Sequence, residues 1–385
     1  MTETGLLDIA RQFRLDTIAP QAQDWEKARV QPVAALREAG QVGLLSFEVP
    51  AEFGGLGASF QLKQAVCEEL SRADMAFTFA MVNTQNIAAK LALSDNPRRY
   101  TGLISELMRG ELFGATALSE PGAGSDFSGI STTAEHTADG WILNGTKGWI
   151  TNTAIADIFI VYAQTSPDAG WRGIASFLVD ARAPGFERGD IYQLMGGHAI
   201  GAGEFHLRNY AVDAPDMLSP PGEAFKLAMA LVNGARTYVA SMCCGMVADA
   251  LNRALTYSGG RMAFGQPVLN NQGLMWSLAD VFTDLEALRA LTDKAGRIID
   301  AGEDPTLAAA VAKKYAGRVT VPAITACIQA MGANGLREDN TLGRHLACAK
   351  IAAYTDGSTE MMNERIGASL RAGISKPAMR DEVFP

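Results

Sequence analysis

The period of the hydrophobic pattern changes twice along this chain, and that change limits the fold more than any other feature. Between residues 116 and 215 the apolar residues fall in short runs: Trp141-Ile-Leu, Ile158-Phe-Ile-Val-Tyr, Ile174-Ala-Ser-Phe-Leu-Val and Glu204-Phe-His-Leu. Gly, Pro, Asn and Asp separate them, so the segment reads as a small β domain. On both sides the spacing is helical. At 385 residues the chain exceeds one typical core. The reading is an α+β chain with an N-terminal α-helical domain over 1–115, a middle β domain over 116–220 and a C-terminal helical bundle over 221–385.

Breakers and caps divide the helical parts. Leu6 to Ile18 has helical spacing and is expected to stop before Pro20; Ser71 to Leu91 predicts a mostly buried helix. Asn96-Pro97 and Asp304-Pro305 pair a capping side chain with Pro at the first helical position. Later helices are expected over Gly222–Tyr257, Gln272–Ala301, Asp304–Met331 and Asp356 to Ala372. No Gly-x-Gly-x-x-Gly motif follows a strand, so a dinucleotide would have to bind the β domain by another route.

Composition excludes several classes. Hydrophobic residues make up 48% and charged ones 19%, which suits a core-rich enzyme. A net charge of −9 without a Lys/Arg run argues against nucleic acid. No apolar run long enough to cross a membrane and no signal-peptide pattern are read here, so the expectation is cytoplasmic. The cysteines (Cys67, Cys243, Cys244, Cys327, Cys348) lack metal-ligand spacing; buried reduced thiols are expected, and no metal.

Two segments carry the chemistry. Leu118-Ser-Glu-Pro-Gly-Ala-Gly-Ser-Asp126 is a turn in which Gly122 and Gly124 can take positive φ and expose bare backbone to a ligand. Ser119, Ser125 and Asp126 add short polar side chains. Leu143-Asn-Gly-Thr-Lys-Gly-Trp-Ile-Thr-Asn152 ends in Trp149 and Thr151, which on a strand would share a face. A polar cradle beside an aromatic and a hydroxyl suits a nucleotide-like cofactor.

With two further blocks, Arg261-Met-Ala-Phe-Gly-Gln266 with Gln272, and Gln329-Ala-Met-Gly-Ala-Asn-Gly335 running on to Tyr354-Thr-Asp-Gly-Ser-Thr-Glu360, the chain resembles the acyl-CoA dehydrogenase flavoproteins. Pro50-Ala-Glu-Phe-Gly-Gly-Leu-Gly57 fits as well. The resemblance implies a helical N-terminal domain, a β-barrel-like middle domain and a C-terminal four-helix bundle. It implies FAD held by Ser119, Gly124 and Ser125, with Trp149 on the flavin ring and Thr151 near N5. Arg261, Phe264, Gln272, Gln329 and Gly332 would contact FAD bound mainly by a neighbouring subunit, which implies a homotetramer or at least a dimer; Ser358 and Glu360 join the cofactor set. Ser125 and Arg236 would meet the substrate, an acyl-CoA or acyl-carrier-protein thioester, and electrons would pass to an electron-transfer flavoprotein.

The family reaction takes an α-proton onto a carboxylate and a β-hydride onto flavin N5. The usual base is a Glu before Gly-Thr-Ser, whereas this chain has Asp356 before Gly357-Ser358-Thr359. The second family location for a base precedes Arg236 and holds Ala235, so Asp356 is the candidate. Aspartate retracts the carboxylate by roughly 1.5 Å. Asp356 is therefore a working base in a reshaped site, or the base of altered chemistry such as nitroalkane oxidation, or only a helix N-cap. A flavin oxidase of this fold and a non-catalytic binding protein stay open as alternatives. Thr78 stands where glutaryl-specific relatives carry an arginine, and Asn83, Thr84 and Gln85 either meet a polar acyl tail or serve the fold.

Overall fold

The computed structural model describes residues 3–375, which form two compact units, one of residues 3–59 and 76–231 and one of 60–75 and 232–375. Before the sheet come α1 (Glu3–Phe13), α2 (Ala19–Ala28), α3 (Val33–Gln41), α4 (Phe60–Ser71), α5 (Met75–Ala92) and α6 (Thr101–Met108). The helix expected to stop at Pro20 does not stop. A π-turn over Arg14–Ile18 joins α1 to α2, with the Ala19 amide donating to the Arg14 carbonyl. Pro20 falls in the first turn of α2, where its missing N–H costs no hydrogen bond. The helix expected over Ser71–Leu91 is α5, starting four residues later than Ser71.

Strands β1 (Gly114–Ala117), β2 (Thr133–His136), β3 (Gly140–Ile150), β4 (Ile158–Gln164), β5 (Ile174–Asp180), β6 (Phe186–Ile191), β7 (Gly203–Asp213) and β8 (Met217–Ser219) make one eight-stranded sheet. Its order is β6-β7-β3-β2-β4-β5-β8, with β1 parallel to β4. Every residue of β4 is buried, and strand alternation explains how. Ile158, Ile160 and Tyr162 pack with Ile87, Leu91 and Leu107; Phe159, Val161 and Ala163 pack on the other face with Phe177 and Phe205. A continuous apolar run is what a strand covered on both faces requires.

The second unit holds α4 together with α7 (Ala224–Gly260) from residue 232 onward, α8 (Gln272–Asp300), α9 (Thr306–Met331), α10 (Leu342–Tyr354) and α11 (Thr359–Ser375). Between α7 and α8 lies the hairpin β9 (Met262–Ala263) and β10 (Gln266–Pro267). Asp300 accepts the Phe60 and Gln61 amides at 2.6 and 3.0 Å and so caps α4. As expected, Asp304 caps α9 through the Thr306 amide at 3.0 Å. The five cysteines are buried, and none is in a disulfide among the described residues. One sequence expectation needs correction: Thr306–Leu336 does have the length and hydropathy of a membrane span. Its alanine-rich surface packs against α8, α10 and α11, and apolar composition serves a core helix equally well.

At Gly245 the backbone of α7 lies close against that of α4. A Cβ there would lie 2.2 Å from the Glu68 carbonyl oxygen, which is backbone and cannot rotate aside. Gly259, near the end of the same helix, would place its Cβ no nearer than 3.8 Å to any atom, the Leu269 side chain. Gly245→Ala is expected to lower unfolding stability by about 1–3 kcal/mol, and Gly259→Ala to hold or raise it, by chemical denaturation.

Candidate active site

The two motifs of the first unit meet through a buried ion pair. Lys147, fully buried on β3, donates to a Glu120 carboxylate oxygen at 2.8 Å and to the Leu118 carbonyl at 3.1 Å. The same carboxylate accepts the amide and hydroxyl of Ser131 at 2.7 and 2.6 Å and those of Thr132 at 3.0 and 2.6 Å. Burial pushes Glu120 up, but Lys147 and these donors outweigh it and hold the carboxyl at about 2. The Gly148 amide adds a bond to the Ser119 carbonyl, 3.1 Å. Glu120, in the turn after β1, and Lys147, on β3, lie inside the quoted motifs, yet no role was read for them.

On this frame the expected cofactor residues are presented to the outside. Trp149 is 63% exposed, and Tyr192 backs its ring at 4.5 Å. The Tyr192 hydroxyl donates to Glu204 at 3.2 Å. The strand-alternation argument for Trp149 and Thr151 does not hold locally. Trp149 has φ +61°, the register with β7 shifts between Lys147 and Ile150, and Thr151 lies just past the strand. Asn152, at φ +65° and fully buried, sets the position of Thr151 instead. Its amide donates to the Ala80 and Gly114 carbonyls at 2.8 and 2.9 Å, and its oxygen accepts from Gln31 at 2.5 Å.

Gly122 and Gly124 are also not where positive φ is used. Both are exposed, and a Cβ on either would meet nothing within 4 Å. Ser125 is exposed beside them, and Ser119 is half-buried. An uncovered indole next to an open turn of small residues fits a flat ring system carrying a polar chain, so these residues fit FAD.

In the second unit Phe264 and Gly265, at φ +52° and +81°, form the two-residue turn of the β9–β10 hairpin. Phe264 is fully exposed at its tip, and Arg261 lies at its base. Asn334 donates to the Tyr257 hydroxyl at 2.7 Å and Ser258 to the Ala330 carbonyl at 3.3 Å. These bonds bring Arg261 and the Gln329–Gly332 segment to one end of the bundle. Gln272, Gln329 and Gly332 are exposed there as well.

Asp356 sits on the turn between α10 and α11, in left-handed backbone at φ +55°, followed by Gly357 at +104°. Arg236 Nε donates to the Asp356 carbonyl at 2.9 Å, and its Nη1 to Asn233 Oδ1 at 2.8 Å. Arg236 therefore grips the backbone at Asp356. The carboxylate Oδ2 is sealed from solvent, with no hydrogen-bond partner among the described residues. Burial pushes the carboxyl up to about 6, while Lys313 and Arg236 pull it down. The N-cap reading falls to Ser358, whose hydroxyl accepts the Met361 amide at 3.5 Å. Ser358 also bonds Glu360, whose carboxyl it lowers.

Of the residues considered for a polar acyl tail, three serve the fold. Asn83 donates to the Phe79 carbonyl at 3.2 Å, Thr84 accepts the Gly114 amide at 3.2 Å, and Gln85 donates to Glu48 at 2.6 Å. Thr78 is fully buried.

A raised, unbonded carboxylate and a cradle for a flavin are the parts of a flavin-dependent dehydrogenase. Models of the acyl-CoA dehydrogenase N-terminal, middle and C-terminal domains match residues 2–97, 115–210 and 222–371, so the chain belongs to the acyl-CoA dehydrogenase family. Its cofactor is FAD. An acyl-CoA dehydrogenase of Bacillus subtilis (strain 168) is 32% identical over 95% of this chain and 97% of its own. The human mitochondrial short-chain specific acyl-CoA dehydrogenase is 31% identical over 96% and 90%. The structure of butyryl-CoA dehydrogenase from Megasphaera elsdenii superposes with a TM-score of 0.92 at 30% identity, covering 96% of this chain and 98% of that one.

Lys147→Met would strand the Glu120 charge in a dry site. Loss of about 3–5 kcal/mol of unfolding stability is expected by chemical denaturation, with weakened FAD retention on gel filtration. Because Glu120 is held at about 2, its contribution should be full above the ordinary carboxylate value and fade as pH falls toward 2.

Proposed function

We propose that this enzyme dehydrogenates a short-chain acyl-CoA thioester between the α- and β-carbons, with Asp356 as the base that takes the α-proton. The observation that carries the reading is the state of the Asp356 carboxylate. Its backbone is held by Arg236, its Oδ2 is sealed and unbonded, and its affinity for a proton is raised. A base that desolvation has brought toward neutrality matches a weakly acidic C–H proton better than an ordinary aspartate does. Ser119, Ser125, Trp149 and Thr151 would hold FAD, and bound FAD supplies the acceptor for the β-hydride.

A short straight chain is favoured by the names of the relatives, the short-chain specific enzyme and butyryl-CoA dehydrogenase. The fold-serving bonds of Asn83, Thr84 and Gln85 take away the argument for a polar tail. An electron-transfer flavoprotein is the proposed acceptor, supported by the likeness to a chain in the structure of the electron transferring flavoprotein of Acidaminococcus fermentans, 30% identical. A cytoplasmic homotetramer is the proposed state. The exposed Phe264, Trp276 and Phe282 support association; light scattering should give the mass of four chains, and a monomer would refute it.

Asp356→Asn is expected to keep FAD yet leave it oxidised when mixed anaerobically with butyryl-CoA in stopped flow. Rapid bleaching of the flavin in that variant defeats the assignment. In the unmodified enzyme the rate of flavin reduction should fall as pH drops through about 6, where the carboxylate takes up its proton.

A further inference from the structure

Lys313 on α9 is 2% exposed, and its position needs a reason. The buried cations Lys147 and Arg344 face Glu120 and Asp74 at 2.8 and 3.0 Å. Lys313 has no such carboxylate contact among the described residues; its hydrogen bond runs to the Gly357 carbonyl at 3.4 Å. Burying an ammonium without a contact partner is costly and is not something packing alone selects. The bond it makes is informative. Arg236 from α7 holds the carbonyl of Asp356 at 2.9 Å, and Lys313 from α9 holds the next carbonyl. Two cations thus pin two successive left-handed residues by their backbone, and the carboxylate between them keeps Oδ2 unbonded.

We propose that Lys313 is a positioning residue for the base: it pins the Gly357 carbonyl and supplies an unpaired positive charge that keeps the Asp356 carboxylate ionised without occupying its oxygens. The inference rests on the reading of Asp356 as the base. A hydrogen bond to the carboxylate would hold the charge but block the proton transfer; a field from a nearby cation does the first without the second. The groups acting on Asp356 are Lys313 and Arg236, and Lys313 in turn feels Cys243, Asp356 and Arg236. Arg236 also feels Arg365 of α11. Burial lowers Lys313 to about 8, against the pull of Cys243 and Asp356, while Asp356 stands at about 6. Between those values the ammonium is charged and the base is ionised. Removing the ammonium takes away a charge that favours the carboxylate, so the carboxyl must titrate at higher pH.

The test uses the FAD-loaded enzyme and the variants Lys313→Met, Lys313→Gln and Lys313→Arg. Infrared titration follows the carboxyl band that Asp356→Asn removes, and stopped flow gives the pH profile of flavin reduction by butyryl-CoA. Met and Gln are expected to move the band midpoint and the acid limb upward by about one pH unit, which is about a tenfold loss of rate on the acid side. The rate should recover at higher pH, and Arg should restore the original midpoint. If Met fails to fold, Gln, which keeps a donor without the charge, decides. An unmoved midpoint in the uncharged variants, or an Arg variant shifted as far as they are, overturns the proposal. A bleaching Asp356→Asn enzyme defeats the base reading itself; an inert one beside unshifted Lys313 variants defeats only this inference.

Discussion

The first unit is organised around a charge pair that water does not reach. Lys147 and Glu120 come from two segments separated in sequence, and neither can be buried without the other. Their geometry fixes more than their own positions. Glu120 takes four further bonds from Ser131 and Thr132, and Lys147 takes the Leu118 carbonyl. The turn that carries Ser119, Gly124 and Ser125 is thereby tied to the strand that carries Trp149. A candidate cofactor surface made of mobile loops would have to be ordered by its ligand; here the order is supplied beforehand by a saturated polar network.

The second unit contains the contrasting case. Lys313 is buried like Lys147 but, among the described residues, lacks a carboxylate in contact, and Asp356 lacks a donor on Oδ2. A saturated pair is stiff and inert. An incompletely satisfied one keeps chemical capacity, because a proton or a substrate atom can still gain from joining it. The difference between the two lysines is a difference in what each site leaves undone.

Much of this was legible in the sequence because it follows from periodicity. The helical–sheet–helical order, the long C-terminal helices and the Asp304 cap all came from spacing and turn chemistry. The two motifs pointed to segments that the fold ties together, yet the stated reasons did not all hold. Trp149 is displayed by a left-handed residue at a register shift, and strand alternation cannot foresee that. The glycines of the turn serve by leaving space rather than by positive φ. Pro20 looked like a stop because the π-turn that precedes it has no sequence period of its own. Helix α10 was missed, since Gly343, Arg344 and His345 obscure its apolar face. Lys313 gave no signal, because a lysine in a helical pattern reads as solvated until its neighbours are known.

The left-handed backbone at residue 356 bears on why this chain carries an aspartate where its family's pattern has glutamate. With α11 capped by Ser358, the side chain at 356 owes nothing to helix formation. What remains is the φ of +55°, a region that L-residues enter at a cost and that short polar side chains such as Asp and Asn tolerate best. The local backbone therefore favours the shorter acid on conformational grounds, independently of the reaction. A longer acid at this position would meet that conformational cost with less tolerance, so the reach of the carboxylate and the shape of the main chain are linked.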